Sequence, residues 1–174
     1  AFETARRDRL DLLLVLAPRH VTRADEVAEL VRSHGLRCVR FSAGDPVASA
    51  DVLLVDTIGD LVALYQVAQV AFVGGSLVPV GGHNLLEPAA LAKPVISGPH
   101  VFNAQDIADM FLAHNACRMV ENAEELATVV AELLDNPEQA SQLGRNGYEI
   151  VEGNRGSLGR LLVLLEPLIS EVSA

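Results

Sequence analysis

Residues 73–99 read VGGSLVPVGGHNLLEPAALAKPVISGP. This stretch contains two Gly-Gly pairs, four prolines, and a single His, Asn and Glu. Glycine has no Cβ, so clustered glycines let the main chain approach another group closely. Apolar residues border the glycines at both ends, and a short apolar run with helical spacing lies between them. The stretch therefore predicts a strand, a glycine-rich loop, a short helix and a second strand, in that order.

Strands and helices are predicted to alternate along the rest of the chain. Strands are expected at residues 10–18, 36–42, 51–56, 70–75, 94–98 and 117–120. Helices are expected at residues 21–35, 60–69, 84–93, 103–116, 123–134, 137–152 and 157–170. Alternation of this kind predicts an α/β fold, with a parallel sheet flanked by helices on both faces.

The first elements allow more detailed expectations. Residues 10–18 are continuously apolar up to Pro18, which predicts a strand buried on both faces. In the first long helix, Val27, Leu30 and Val31 share one face and Gly35 ends the helix. Cys38 and Cys117 each lie in a predicted strand outside any CxxC pair, so both are expected to be buried free thiols.

Composition narrows the classes of function. A chain of 174 residues that is 50% hydrophobic can form a single domain, residues 1–174, with its own core. Its net charge of −10 argues against a nucleic-acid partner, because nucleic acids bind to basic surfaces. The apolar run at residues 10–18 is too short to cross a bilayer, and the basic residues are too scattered for a membrane patch.

Ligands of parallel sheets bind outside the carboxyl ends of the strands. Here this rule selects polar and glycine-rich residues that follow the first, third and fourth strands. They are Pro18, Arg19 and His20, then Thr57, Ile58, Gly59 and Asp60, and then Gly74, Gly75, Ser76, Gly81, Gly82, His83 and Asn84.

These groups suit a nucleotide that carries a phosphate. The Arg19 guanidinium can hold phosphate oxygens in a bidentate fork, and glycine-rich turns offer N–H groups to an anion. The Glu87 carboxylate can accept hydrogen bonds from ribose hydroxyls. The chain lacks GxxxxGK[ST], GxGxxG and any His/Cys/Asp spacing typical of a metal site, so no metal or other cofactor is expected.

Structural interpretations of the same residues remain open at this point. Asn84 and Glu87 have the spacing of a capping box and could satisfy only helix-end N–H groups. His83 could form a hydrogen bond within its own loop. Arg19 could be a solvated charge at the end of a strand.

The quoted stretch, together with LAPRH at residues 16–20 and DTIGDL at residues 56–61, resembles 3-deoxy-D-manno-octulosonic acid (Kdo) transferases. The resemblance covers nearly the whole chain but only the C-terminal half of such an enzyme. It implies the Rossmann-like C-terminal half of a GT-B glycosyltransferase. The family's CMP contacts fall here on Pro18 and Arg19, on residues 58–60 and on residues 84–87. Asp60 stands where the family usually has Glu.

The resemblance also implies an activity. Such an enzyme transfers Kdo from CMP-Kdo to a lipid A precursor with inversion, at the cytoplasmic face of the bacterial inner membrane. The general base and the acceptor site are expected in an N-terminal domain outside this chain, so no residue here is assigned a catalytic role. The chain alone is expected to be soluble and inactive, and to contact the membrane only through the full-length protein.

Two other functions stay open from the sequence. The chain could belong to another GT-B nucleotide-sugar enzyme, such as a UDP-sugar transferase or an epimerase. It could also be a free-standing nucleotide-binding module.

Overall fold

The structure, a computed structural model, describes residues 1–7 and 9–155. Six strands lie in these residues: β1 (Leu14–Leu16), β2 (Cys38–Arg40), β3 (Val52–Leu54), β4 (Ala71–Val73), β5 (Val95–Ser97) and β6 (Cys117–Met119). The helices are α1 (Phe2–Arg6), α2 (Ala24–Ser33), α3 (Leu61–Val67), α4 (Leu86–Ala89), α5 (Gln105–Ala113), α6 (Ala123–Asp135) and α7 (Pro137–Asn154). The alternation predicted from the sequence is therefore confirmed, and the helix predicted at residues 157–170 lies outside the described residues.

The strands form two parallel sheets of three strands each, where the sequence predicted one sheet. The strand orders are β1-β3-β2 and β4-β5-β6, and every pair of neighbouring strands is parallel. Parallel neighbours require a crossover between them, and helices provide most of these connections. The carboxyl ends of β1 and β3 therefore lie at one edge, and those of β4 and β5 at another.

The second sheet is covered on both faces. Val95 and Ile96 are adjacent in the central strand β5, and neither is exposed to solvent. Val95 packs in a cluster with Phe111 of α5, whereas Ile96 packs with Leu133 of α6. Because successive side chains of a strand point to opposite faces, helices must cover each face of this sheet.

The first sheet is less enclosed than predicted. All of β3 is buried, but the strand expected at residues 10–18 is limited to β1, which is half-buried, and Leu10 is 80% exposed. The reason is that β1 is an edge strand whose side chains are only partly covered. Leu30, predicted to face the core, is 60% exposed, whereas Val31 is buried.

Both cysteines are free thiols in the structure. Cys117 is buried at the start of β6, and its burial raises the pKa of the thiol to about 12. Cys38 is only half-buried, contrary to the prediction, because β2 is the other edge strand of the first sheet. Burial raises the pKa of Cys38 as well. Neither thiol has the depressed pKa that a cysteine nucleophile needs.

One buried carboxylate, that of Asp51, links the first helix to the first sheet. Asp51 accepts a 2.6 Å hydrogen bond from the backbone N–H of Arg37 and pairs with the Arg6 guanidinium of α1. The Arg37 hydrogen bond, with the two arginine charges, holds the pKa of Asp51 below its usual range despite burial. This ion pair attaches α1 to the edge at which β3 begins.

A close approach of two backbones seats α7 on the second sheet. A Cβ placed on Gly144 would lie 2.0 Å from the carbonyl oxygen of Ala92, which is far inside van der Waals contact. Ala92 itself has a left-handed φ of 53°. The absence of a side chain at residue 144 therefore sets the distance between α7 and the turn that follows α4.

We expect Gly144→Ala to destabilise the protein by about 1–3 kcal/mol, because the new methyl group meets backbone that cannot move aside. Gly153→Ala in the same helix is the matched control, since nothing lies within 4 Å of a Cβ there. The control should be neutral or slightly stabilising, because alanine favours helix more than glycine does. Chemical denaturation of both variants tests this, and equal stabilities would contradict the packing argument.

Candidate functional site

The loop after β4 is fixed from within by Ser76. This side chain is fully buried, and its hydroxyl donates a 2.6 Å hydrogen bond to the carbonyl of Val73. The same oxygen accepts a 2.8 Å hydrogen bond from the backbone N–H of Gly98, just after β5. The backbone N–H of His100 adds a bond to the carbonyl of Ser76. Ser76 therefore joins the loops that follow two neighbouring strands and does not face a ligand.

The glycines of this region approach other parts of the protein. A Cβ on Gly98 would lie 2.3 Å from the carbonyl oxygen of Ser76, and one on Gly81 would lie 2.2 Å from the side-chain amide of Asn103. Asn103 in turn donates a hydrogen bond to the carbonyl of Val80. The close approach predicted from the sequence is therefore made, at these positions, to neighbouring loops.

His83 lies over one of the glycines. Gly75 has a left-handed φ of 72°, and a Cβ placed on it would be 3.2 Å from Nε2 of His83. The backbone N–H of Gly82, another left-handed glycine, donates a 2.9 Å bond to the carbonyl of Gly75. The two halves of the loop are thereby closed on each other, with the exposed His83 ring on the outside.

Asn84 and Glu87 contact each other at the start of α4. The amide of Asn84 donates a 3.1 Å hydrogen bond to Oε1 of Glu87, and Asn84 Oδ1 accepts one from the backbone N–H of Leu86. Within the described residues, Glu87 makes no bond to the backbone N–H of Asn84 and Asn84 accepts none from the backbone N–H of Glu87, so the capping box is not formed. Glu87 is exposed, and its second oxygen is unoccupied by these bonds.

Leu85 and Leu86 lie inside this corner. Leu85 is 2% exposed and belongs to the core of the second sheet, and Leu86 is half-buried against the same core. A ligand contact at Leu85 must therefore use the backbone, whereas the Leu86 side chain is partly accessible. Burial raises the pKa of the Tyr65 phenol in α3, and the nearby Glu87 carboxylate raises that pKa further. The ends of α3 and α4 are thus neighbours.

The loop after β3 presents its backbone. Gly59 has a φ of 101°, and nothing lies within 4 Å of a Cβ built on it. Ile58 is 87% exposed. Asp60 accepts a 2.6 Å hydrogen bond from the Thr57 hydroxyl, so its carboxylate serves the turn that precedes α3.

Arg19 differs from most of the described arginines in having an unpaired guanidinium. It is exposed in the loop after β1, between the half-buried Pro18 and the exposed His20. In the part of the chain that the structure describes, its guanidinium makes no hydrogen bond or ion pair. Most other arginines are paired, among them Arg6 with Asp51, Arg9 with Asp135, Arg23 with Glu26, Arg40 with Asp25 and Arg118 with Glu132.

The structure brings some of the predicted residues into contact and leaves others only on a shared edge. His83 contacts Gly75, Asn84 contacts Glu87, and Ser76 contacts Gly98. The register Leu16↔Leu54 places Arg19 and Gly59 beyond the same edge of the first sheet. Within the described residues, no hydrogen bond or ion pair joins Arg19 to Glu87. Over the same residues, no helix has the length and apolar character needed to cross a bilayer, and no three His, Cys, Asp or Glu side chains form a metal site.

Comparison with known proteins shows the family. Residues 48–150, which include the loops after β3 and β4 and the whole of α4, match the family described as glycosyl transferases group 1. The chain belongs to this family. Its α/β architecture, with parallel sheets flanked by helices, agrees with the Rossmann-like fold predicted for half of a GT-B enzyme.

The most informative relatives of this glycosyl transferase domain carry a Kdo transferase name. This chain is 41% identical to a 3-deoxy-D-manno-octulosonic acid transferase of Haemophilus influenzae, over 91% of this chain and 38% of that protein. A Bordetella pertussis protein of the same name is 37% identical over 88% of this chain and 36% of its own length. The chain thus spans well under half of these relatives.

A solved structure supports the same relationship. The crystal structure of the C-terminal CMP-Kdo binding domain of WaaA from Acinetobacter baumannii matches with a TM-score of 0.82 and 36% identity. The match covers 86% of this chain and 80% of that one. The resemblance to Kdo transferases predicted from the sequence is therefore confirmed.

The sequence did not single out Asn103 or Tyr65, which help to shape this part of the glycosyl transferase domain. Asn103 supports Gly81 from a different loop, and Tyr65 adjoins Glu87 from another helix. These contacts join residues that are 22 positions apart in each case, so no local motif reveals them. The one sequence signal for the contact between Gly81 and Asn103 is the presence of a Gly-Gly pair and of a polar residue far from it along the chain.

We expect Ser76→Ala to lower stability by about 1–3 kcal/mol, because it leaves the buried N–H of Gly98 without an acceptor. Ser97→Ala is the matched control, since Ser97 is equally buried but makes a single 3.3 Å hydrogen bond, to the carbonyl of Gly98. The loss of stability in Ser97→Ala should be smaller than the loss in Ser76→Ala. Urea denaturation of the two variants makes the comparison, and a control as costly as Ser76→Ala would contradict the role given to Ser76.

Proposed function

We propose that this chain is the donor-binding domain of a Kdo transferase and that it holds CMP-Kdo. The longer protein then transfers Kdo to a lipid A precursor at the cytoplasmic face of the bacterial inner membrane. The observation that carries the proposal is the match to a CMP-Kdo binding domain at 36% identity and a TM-score of 0.82. The acceptor, the general base and the membrane contact are assigned to parts of the enzyme outside residues 1–174.

Arg19 is assigned to the phosphate of the donor. Its guanidinium is exposed and free of ion pairs among the described residues, whereas most arginines in this acidic chain are neutralised by carboxylates. An unpaired guanidinium can take up phosphate oxygens without first breaking a salt bridge. A fixed positive charge there would also stabilise CMP as it departs with its phosphate.

Glu87 is assigned to the ribose. Asn84 occupies Oε1 with an amide hydrogen bond, which orients the carboxylate and leaves Oε2 for a ligand. A carboxylate accepts hydrogen bonds and cannot donate them, which suits neighbouring hydroxyls on a sugar. Tyr65 and α3 stand beside it, so the carboxylate lies at the junction of two helices and not on an isolated turn.

Backbone groups are assigned to the remaining contacts. Gly59 has open space beside it, and the side chains of Asp60, Leu85 and Leu86 are engaged elsewhere in the fold. Pro18 and Ile58 border the same edge as Arg19. Backbone amides and carbonyls at these positions can recognise a nucleobase or phosphate without side-chain chemistry.

The proposal is tested by titrating the purified chain with CMP, cytidine and UDP. We expect CMP to bind better than UDP, and Arg19→Ala to weaken CMP binding by about 1.5–3 kcal/mol, the value typical of a hydrogen bond to a charged group. Cytidine, which has no phosphate, should bind the variant and the parent chain almost equally. Arg32→Ala, which removes another exposed arginine on α2, should leave CMP binding unchanged.

Equal losses for cytidine and CMP would show that Arg19 supports the loop and does not contact the phosphate. A preference for UDP over CMP would instead favour a UDP-sugar enzyme of the same GT-B type.

Glu87→Gln separates a ribose contact from a structural role. Glutamine can still accept the hydrogen bond from the Asn84 amide, so stability should change by less than about 1 kcal/mol. CMP binding should weaken by about 1.5–3 kcal/mol, because a charged acceptor is lost. The loss should be smaller for 2′-deoxy-CMP, which lacks one of the two hydroxyls.

Glu29→Gln, at an exposed position on α2, controls for the change in net charge. Thermal melting and calorimetric titration on the same preparations give both quantities. A Glu87→Gln protein that melts several degrees lower yet binds CMP normally would move the ribose contact to another residue.

A further inference from the structure

His83 is oriented by its contact with Gly75. The atoms nearest to a Cβ built on Gly75 are Nε2, Cε1 and Cδ2 of the His83 ring, at 3.2, 3.4 and 3.5 Å. The end of the ring that carries Nε2 therefore rests on Gly75, and Nδ1 lies on the side of the ring nearer the His83 backbone. A side chain on Gly75 would displace the ring, and the φ of 72° already favours glycine there.

The segment on either side of His83 is held as well. Gly82 is tied to Gly75 by a backbone hydrogen bond, and Asn84 is tied to Leu86 and to Glu87. His83 is thus an exposed side chain on a fixed backbone, with its ring supported from one end. The described residues offer neither ring nitrogen a hydrogen-bond partner, so this orientation satisfies no polar group of the protein.

We propose that His83 contacts the donor substrate, with Nδ1–H donating a hydrogen bond to an anionic oxygen, and that Gly75 is the residue that positions the ring. This inference rests on the proposed function, since the ligand is an anionic sugar nucleotide. CMP-Kdo offers two such oxygens, one on its phosphate and one on the sugar carboxylate. The chain has a net charge of −10, so an anion bound beside the Glu87 carboxylate requires hydrogen-bond donors close by. His83 is close, because it directly precedes Asn84, which contacts Glu87.

The atomic assignment can be tested with three substitutions at one position. In His83→Asn the side-chain amide nitrogen can occupy the place of Nδ1, and in His83→Gln it reaches the place of Nε2. His83→Phe keeps a planar ring over Gly75 but has no donor. A contact made by Nδ1 is therefore retained in the Asn variant and lost in the Gln and Phe variants.

Titrations of the purified chain with cytidine, CMP and CMP-Kdo measure the effect. We expect His83→Phe and His83→Gln to weaken binding about tenfold or more, the loss typical of a hydrogen bond to a charged group, and His83→Asn to stay within about threefold of the parent. A loss seen with CMP but not with cytidine assigns the bond to the phosphate. A loss seen only with CMP-Kdo assigns it to the carboxylate.

Gly75→Ala tests the positioning role. We expect it to weaken binding of the same ligand that His83→Phe affects, and to add no further loss when the two substitutions are combined. Additive losses in the double variant would overturn the role of Gly75, because the two residues would then act independently.

The inference about His83 is overturned if His83→Phe binds CMP and CMP-Kdo as the parent chain does, or if the Asn and Gln variants lose affinity equally. Either result leaves the proposed function intact, because the parent chain still binds CMP. A parent chain that binds neither CMP nor CMP-Kdo overturns the proposed function itself, and this inference with it. Thermal melting of each variant separates loss of the contact from loss of the fold.

Discussion

The contact between Ser76 and Gly98 is the constraint on which the candidate site depends. The hydroxyl of Ser76 bridges the end of β4 and the residue after β5, and Gly98 allows this only because it has no side chain. The loop that carries His83, Asn84 and Glu87 begins directly after Ser76. A buried hydrogen bond between two neighbouring strands thereby sets where three exposed polar side chains can lie.

The same constraint explains the unusual composition of residues 73–99. Gly81, Gly82 and Gly98 each face atoms of a neighbouring segment, and Gly75 supports the His83 ring. Gly59 and Gly74 differ, since nothing lies within 4 Å of a Cβ on either. The glycines therefore form two groups, one that packs loops against each other and one that leaves open space where a ligand can approach the backbone.

Much of the fold could be predicted from the sequence, because hydrophobic periodicity and glycine positions are local signals. The helix α2, which is followed by the left-handed Gly35, and the fully buried β3 and β5 are examples. The exposure of Leu10 and Leu30, and the division of the strands into two sheets, depend on which segments cover which. That information is not local. The positions of Arg19 after β1 and of Glu87 after β4 could be predicted because strands and the residues that follow them are local signals, whereas the support from Asn103 could not.

The division of strands has a consequence for how the chain folds. Each sheet is made from consecutive strands, within residues 14–54 and 71–119 respectively, so the chain loops that close either sheet are short. The contacts between α1 and α6, and the ion pair between Arg9 and Asp135, join segments more than a hundred residues apart. Closing such a loop costs more entropy than forming a local crossover does. From this entropy difference we expect the two sheets to form before the beginning of the chain joins α6.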